Sequence, residues 1–158
     1  MGAMEASRAG VRFLTFFLEG EHYGIEIHRV KEIIAWIKVT KIPKAPAYIR
    51  GVMNLRGNII PVLDLRAKFG LPFREPDMQT SIVVVSISGI SIGLVVDRVD
   101  EVINTDKEHL FAPPKFNAKI DASAISQMIQ GDFGVVAVLS LESIFSQEEL
   151  EKLDNAPL

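Results

Sequence analysis

Apolar and polar residues alternate in short runs along this chain, and the runs come in pairs around glycine. Phe13-Leu-Thr-Phe-Phe-Leu18 is followed by the turn Glu19-Gly20-Glu21 and then by His22-Tyr-Gly-Ile-Glu-Ile27, where Tyr23, Ile25 and Ile27 alternate with glycine and polar residues. Such period-two alternation across a glycine turn predicts a β-hairpin. Ser81 to Ser88 and Ile90 to Val96 predict a second hairpin around Gly89. Arg29-Val-Lys-Glu-Ile-Ile34 fits either a helical turn or a third strand, and so short a run does not decide between them. Lys41-Ile-Pro-Lys-Ala-Pro46 is expected to be extended or loop, since proline removes backbone donors and biases its predecessor away from helix. Asn58-Ile-Ile-Pro-Val-Leu-Asp-Leu65 predicts a strand with Pro61 at a bulge or an edge. Arg66 to Phe69 predicts one helical turn stopped by Gly70, and Leu71 to Thr80, with two prolines, a linker. The tail Ser146-Gln-Glu-Glu-Leu-Glu-Lys-Leu-Asp154 predicts a helix, with Ser146 and Glu149 spaced as a capping box.

The two hairpins belong to a duplication. Leu18 to Ile34 returns as Ile87 to Ile103, shifted by 69 positions, with six of 17 pairs identical: Gly20/Gly89, Gly24/Gly93, Arg29/Arg98, Val30/Val99, Glu32/Glu101 and Ile34/Ile103. A second block, Ile59 to Leu65 with Phe69, matches Val135 to Leu141 with Phe145 at a shift of 76. Copy two therefore holds seven extra residues between the blocks, around Asn117 to Asp132, where Ser123-Ala-Ile-Ser-Gln-Met-Ile129 fits a short helix or a strand. Duplication at this scale predicts that each copy builds its own small sheet. The expected plan is a first repeat over about 13–70, a linker over about 71–80, a second repeat over about 81–145 and a helix over about 146–154. Two lobes of about five strands each hide their edges best by curling into small barrels. Residues 1–11 are expected to be flexible, and Met1-Gly-Ala before a second Met reads as an expression scar.

Composition narrows the function classes. With 158 residues, 48% of them hydrophobic, the chain can bury one substantial core or two small ones. A net charge of −3 without a long block of one sign argues against general affinity for nucleic acid or anionic membrane. The absence of cysteine removes disulfides, thiolate nucleophiles and cysteine-ligated metals, and is compatible with the cytoplasm. The most apolar run, Ile82 to Val96, is broken by Ser86, Ser88, Gly89, Ser91 and Gly93 and falls short of the ~20 residues of a spanning helix.

Candidate catalytic chemistry is sparse. His22, His28 and His109 show no metal-ligand spacing; on one strand, His22 and His28 would stand ~20 Å apart. Asp64 and Asp97 end predicted strands, where Asp ordinarily caps the following turn, and nothing in the sequence brings Asp100 to them. No phosphate-binding, nucleophile-elbow or dinucleotide motif occurs. The loop Asn54-Leu-Arg-Gly57 does stand out, because copy two has Gln130-Gly131-Asp132 there, without an arginine. Arg56 is either a solvated turn charge or an anchor for a carboxylate, which its planar guanidinium pairs in two places. Glu32 is its candidate intramolecular partner. Val30 and Val99, equivalent in the repeat, either belong to the core of their own lobes or line a seam between lobes. Trp36 is open between partner anchor and packing at the base of a loop.

Taken in order, Tyr23-Gly-Ile-Glu-Ile27, Val30-Lys-Glu-Ile33, Pro46-Ala-Tyr-Ile-Arg-Gly51, Asn54-Leu-Arg-Gly57 and Ile60-Pro-Val-Leu-Asp-Leu-Arg66 resemble the CheW family of bacterial chemotaxis coupling proteins. Gly93-Leu-Val-Val-Asp97 and the acidic terminal helix extend the resemblance from about Phe13 to Asp154. It implies a mainly β fold in one domain over 12–154, two packed SH3-like five-stranded β-barrels with a short C-terminal α-helix. It also implies an adaptor without catalysis, cofactor or metal, monomeric in isolation and binding no nucleic acid. The implied partners are the regulatory domain of the histidine kinase CheA and the cytoplasmic tip of transmembrane chemoreceptors, which would place the chain in the cytoplasm at polar receptor arrays without membrane insertion of its own. Carried over by position, Arg56 and Glu32 look like the family pair near the receptor and kinase contacts, with Asn54, Leu55 and Gly57 in the same partner-binding loop. Val30, Gly51, Gly93 and Val99 fall in or beside the groove between lobes. The fold also occurs within CheA and CheV, but no kinase core or receiver domain is present here, so a stand-alone coupling protein is expected. The other readings are an adaptor for a parallel, non-flagellar chemosensory pathway and a small-molecule-binding or enzymatic double barrel.

Overall fold

The computed structural model describes residues 10–113 and 124–154. The strands are β1 (Val11–Leu18), β2 (Glu21–Glu26), β3 (Val30–Ala35), β4 (Ile49–Leu55), β5 (Asn58–Asp64), β6 (Ser81–Ile87), β7 (Ile90–Val96), β8 (Arg98–Thr105), β9 (Leu110–Phe111), β10 (Ile125–Gly131) and β11 (Gly134–Leu139). Three helices complete the list: α1 (Leu65–Lys68), α2 (Leu141–Ile144) and α3 (Gln147–Asp154). Sheet one has the order β8-β1-β2-β11-β10-β9, and sheet two the order β3-β6-β7-β5-β4.

Each sheet therefore mixes both copies, contrary to the expectation that each copy builds its own. The hairpin β1–β2 of copy one sits among strands of copy two, and β6–β7 of copy two sits among strands of copy one. Connection length is the reason. A three-residue 3-10 turn, Ile27–Arg29, separates β2 from β3, and Asp97 alone separates β7 from β8. In an unexchanged barrel β3 would flank β1 and run parallel to β2, and parallel strands of one sheet need a crossover of a dozen or more residues. With three residues and one, the chain has to pass directly into the other sheet. The exchange is symmetric: Gly24 pairs with Val138 in the parallel contact of β2 and β11, and Gly93 pairs with Val62 in that of β7 and β5.

Strand alternation then sorts the apolar residues into three clusters. Phe13, Ile103, Ile129, Val136 and Val138 fill the barrel of sheet one; Met53, Ile60, Val62, Ile82, Val84 and Val95 fill that of sheet two. The opposite faces, including Leu14, Phe16, Leu18, Val83, Val85, Ile87, Leu63, Leu94 and Leu139, merge into one larger core between the barrels. Gly24 and Gly93 make room inside the barrels: a Cβ at Gly24 would lie 3.1 Å from Val136 Cγ1, and one at Gly93 would lie 2.8 Å from Ile82 Cγ2.

Several local readings hold and some do not. The segment after β2 is a turn and then strand β3, and the 123–129 segment yields strand β10. Pro61 is at neither an edge nor a bulge: β5 is interior, and Pro61 is tolerated because pairing with β7 begins one residue later, at Val62. Gly70, at φ +74°, ends α1. Pro114, Lys115 and the region of the seven-residue insertion up to Ser123 lie outside the described residues, as do residues 1–9.

The terminal helix is held at both ends of its first turn. Ser146 Oγ accepts from the Glu149 N–H at 3.1 Å and Glu149 Oε1 accepts from the Ser146 N–H at 2.9 Å, both halves of the capping box. Leu150 and Leu153 bury into the central core, and Glu149 Oε2 accepts from Lys68 Nζ at 2.6 Å, tying α3 to α1. Partial burial opposes ionisation of Glu149, but hydrogen bonds from Lys68, the Ser146 N–H and Tyr48 outweigh it and lower its pKa to about 2.

Two outcomes follow for stability. Gly93→Ala should cost about 1–3 kcal/mol by overpacking. Gly51→Ala should cost more, since its Cβ would sit 2.1 Å from the Thr40 carbonyl oxygen at the Thr40–Val52 bridge. Urea midpoints in the order wild type, Gly93→Ala, Gly51→Ala check this. Because the folded Glu149 pKa lies below its ordinary 4.5, its contribution is complete above that pH and lost as the pH falls towards 2. Melting wild type and Glu149→Gln across this range should show a Tm gap that closes on acidification.

Candidate functional site

β4 and β5 meet in a two-residue turn in which Arg56 has φ +52° and Gly57 φ +88°. Left-handed backbone at both central positions is the turn that matches strand twist, and it favours Asn, Asp or Gly first. An arginine there sits in a costly conformation. Asn54 helps to hold it, its side-chain oxygen accepting from the Gly57 N–H at 2.8 Å. Leu55 packs against the barrel core of sheet two and anchors the hairpin below the turn.

The turn carries Arg56 across the open side of sheet two to β3, the strand at the opposite end of the order. There Arg56 Nη2 donates to Glu32 Oε1 at 3.0 Å and Nη1 donates to Oε2, a two-point pair. This ion pair links the β4–β5 turn to β3, the strand at the other end of the sheet order. Glu32 is the more sheltered member, with 23% of its side chain exposed against 74% for Arg56. The hydrogen bond and charge of Glu32 push the arginine pKa further up. Of the two readings of Arg56, the structure selects the carboxylate anchor.

Val30 and Val99 are half-buried and pack against the same central core, each at the start of the strand that follows a crossing between sheets. Both therefore face the core common to the two barrels and not a barrel interior. Gly51 and Gly93 do not belong to an accessible surface. Both are buried in sheet two, Gly51 against the Thr40 backbone and Gly93 against Ile82 and Met53. The structure gives both a packing role: a side chain at either would act by distorting the barrel beneath the Asn54–Gly57 turn. Trp36 packs at the sheet-two core with the Arg50 guanidinium 5.2 Å from its ring, a packing role.

Exposed apolar residues escaped the reading of the sequence. Ile33 and Ile59, 44% and 40% exposed, lie on β3 and β5, and their repeat equivalents Val102 and Val135 are 41% and 47% exposed on β8 and β11. The signal was available: the shifts of 69 and 76 align both pairs, and strand alternation turns all four away from the barrel interiors. The two ends are alike in shape but differ in charge. Segment 30–59 carries Lys31, Lys38, Lys41, Lys44, Arg50 and Arg56 against Glu32; β8 to β9 with the β10–β11 turn carries Asp100, Glu101, Asp106, Glu108 and Asp132 against Arg98 and Lys107. Among the described residues, no group of His, Asp or Glu is arranged to hold a metal ion, and no helix is long and apolar enough to cross a membrane.

Known proteins match along nearly the whole of this architecture. The model of the CheW-like domain matches residues 12–149. A chemotaxis protein CheW of Treponema pallidum is 35% identical over 150 residues, covering 91% of this chain and 87% of that protein. A chemotaxis protein CheW of Klebsiella aerogenes is 34% identical over 146 residues, covering 92% and 88%. Among solved structures, the scaffolding protein TtCheW from Thermoanaerobacter tengcongensis superposes with a TM-score of 0.81 at 35% identity, over 86% of this chain and 92% of that one. With a family model matching 12–149 and relatives 34–35% identical over about nine-tenths of the chain, the chain belongs to the CheW family.

Proposed function

We propose that this chain is a non-catalytic scaffold that couples transmembrane chemoreceptors to the histidine kinase CheA. The observation that carries the reading is the Asn54–Gly57 corner, where the hairpin turn presents an exposed, two-point Arg56–Glu32 pair beside the exposed Ile33 and Ile59. The same left-handed turn recurs at Glu19–Gly20 and Ser88–Gly89 and is hairpin geometry; the exposed ion pair itself contributes little to stability and is better explained by recognition than by folding. The apolar neighbours supply buried area, and the charged pair supplies register and partner choice.

Coupling needs more than one surface, and two features support that. The repeat-related exposed pairs Ile33/Val102 and Ile59/Val135 sit in surroundings of opposite charge balance, and the half-buried Val30 and Val99 would border the place where a helical receptor tip docks. Weak individual contacts suffice, because bringing receptor and kinase together makes the later contacts intramolecular. The scaffold works where these partners are, at the cytoplasmic side of receptor arrays.

Co-sedimentation of the purified chain with a receptor cytoplasmic fragment, the kinase regulatory domain and both together tests the reading; absence of binding to either would sink it. Arg56→Ala should leave the thermal midpoint essentially unchanged and weaken at least one of these bindings several-fold. Glu32→Lys should do the same, and the exchange Glu32→Arg with Arg56→Glu should keep the thermal midpoint and re-form the pair without restoring binding. Unchanged affinity for both partners in all three variants would remove this corner from the recognition surface.

A further inference from the structure

The apolar core between the barrels supplies cohesion but little direction, since hydrophobic contact sets no angle. Directional contacts gather at the two places where the chain crosses from one sheet to the other. At the β7–β8 crossing, Asp97 was expected to cap a turn. Instead, Asp97 Oδ2 accepts from Arg66 Nη1 at 2.6 Å, from the Glu19 N–H at 2.9 Å and from Arg74 Nη1 at 3.3 Å. The same Arg66 donates from Nε to the Pro72 carbonyl at 2.9 Å and from Nη2 to Glu19. One guanidinium, 7% exposed, thus ties together α1, the tip of the exchanged hairpin β1–β2, the crossing residue and the start of the linker. Asp64 keeps the expected role, capping α1 through the Arg66 N–H at 2.9 Å.

At the β2–β3 crossing a second clasp has the reverse polarity, with the acid on the helix and the arginine, next to His28, the repeat counterpart of Asp97, at the crossing. Glu142 on α2, the repeat counterpart of Arg66, pairs with Arg29 at 2.5 Å, and Arg29 also donates to the Ser86 carbonyl at 3.0 Å. This second clasp is more open, with Glu142 55% exposed. Each clasp lies next to a seam valine: Arg29 precedes Val30, and Asp97 stands two residues before Val99.

We propose that Arg66 is a positioning residue that sets the relative orientation of the two barrels, and through Asp97 the placing of Val99 at the seam where a partner docks. The buried clasp makes the Val99 side of the seam the fixed one; the exposed Arg29–Glu142 clasp, which solvent screens, leaves the Val30 side adjustable. The part concerning docking rests on the proposed adaptor function; the part concerning orientation does not.

The natural lack of cysteine permits a direct test. Spin labels on Lys38→Cys and Glu108→Cys, both exposed and one on each barrel, report the inter-barrel distance distribution. The main variant is Arg66→Gln with Asp97→Asn, which removes both charges and avoids leaving one buried alone. It should keep the far-UV spectrum, broaden the distribution and weaken receptor-fragment binding several-fold, whereas Glu142→Gln should change the width much less. Arg66→Lys, which keeps the charge and loses the fork, should fall between and reads the same quantity should the double variant not fold. A distribution as narrow as wild type in these Arg66 variants overturns the proposal. A broadened distribution with undiminished partner binding overturns its link to recognition. If wild type itself binds neither partner, the adaptor function fails, and the label distances still judge the orienting role.

Discussion

One residue stands between β7 and β8 and three between β2 and β3, and most of the architecture follows from those lengths. A chain that has just completed a hairpin cannot place its next strand parallel in the same small barrel without a long crossover. It has to step into the neighbouring sheet. Two copies of the same unit, both under this constraint, exchange hairpins, and the hairpin faces that point away from the barrel interiors meet in one central core. Neither copy contains a complete barrel, so the duplicated unit is a unit of sequence and not of structure.

The proposed contact surfaces inherit this arrangement. In sheet two the Arg56–Glu32 pair links the β4–β5 turn to β3, at the other end of the sheet order. The seam valines lie next to the crossings because the crossings are where the barrels touch. Buried Gly93 and Gly51 lie beneath these surfaces and determine how tightly sheet two packs, which is why positions far from solvent share the neighbourhood of the site.

Much of this was legible in the residues. Alternation and X-Gly turns marked the hairpins, Ser146 with Glu149 marked the last helix, and the missing arginine of copy two singled out Arg56. What was not legible were partners across space. Period-two alternation shows that a strand has two faces without showing which sheet covers either, and β1 fits beside β3 or β8 equally well by pattern. The decisive signal, the single residue between Val96 and Arg98, was present but depends on strand ends that periodicity locates only loosely. Asp97 was misread for the same cause: as the end of a strand it looks like a cap, and only the exchanged topology brings Arg66 and Glu19 to it. Gly93 and Gly51 resembled surface positions because a glycine has no side chain whose character would reveal burial.

If hairpin exchange makes the two barrels a single structural unit, they must open together. Native-state hydrogen exchange of the amides of Val84 in β6 and Val136 in β11, buried in the cores of opposite barrels, measures this most directly. Under increasing urea, both should converge on one opening free energy equal to that of global unfolding. Exchange from one barrel at a lower, separate free energy while the other stays protected would contradict the account.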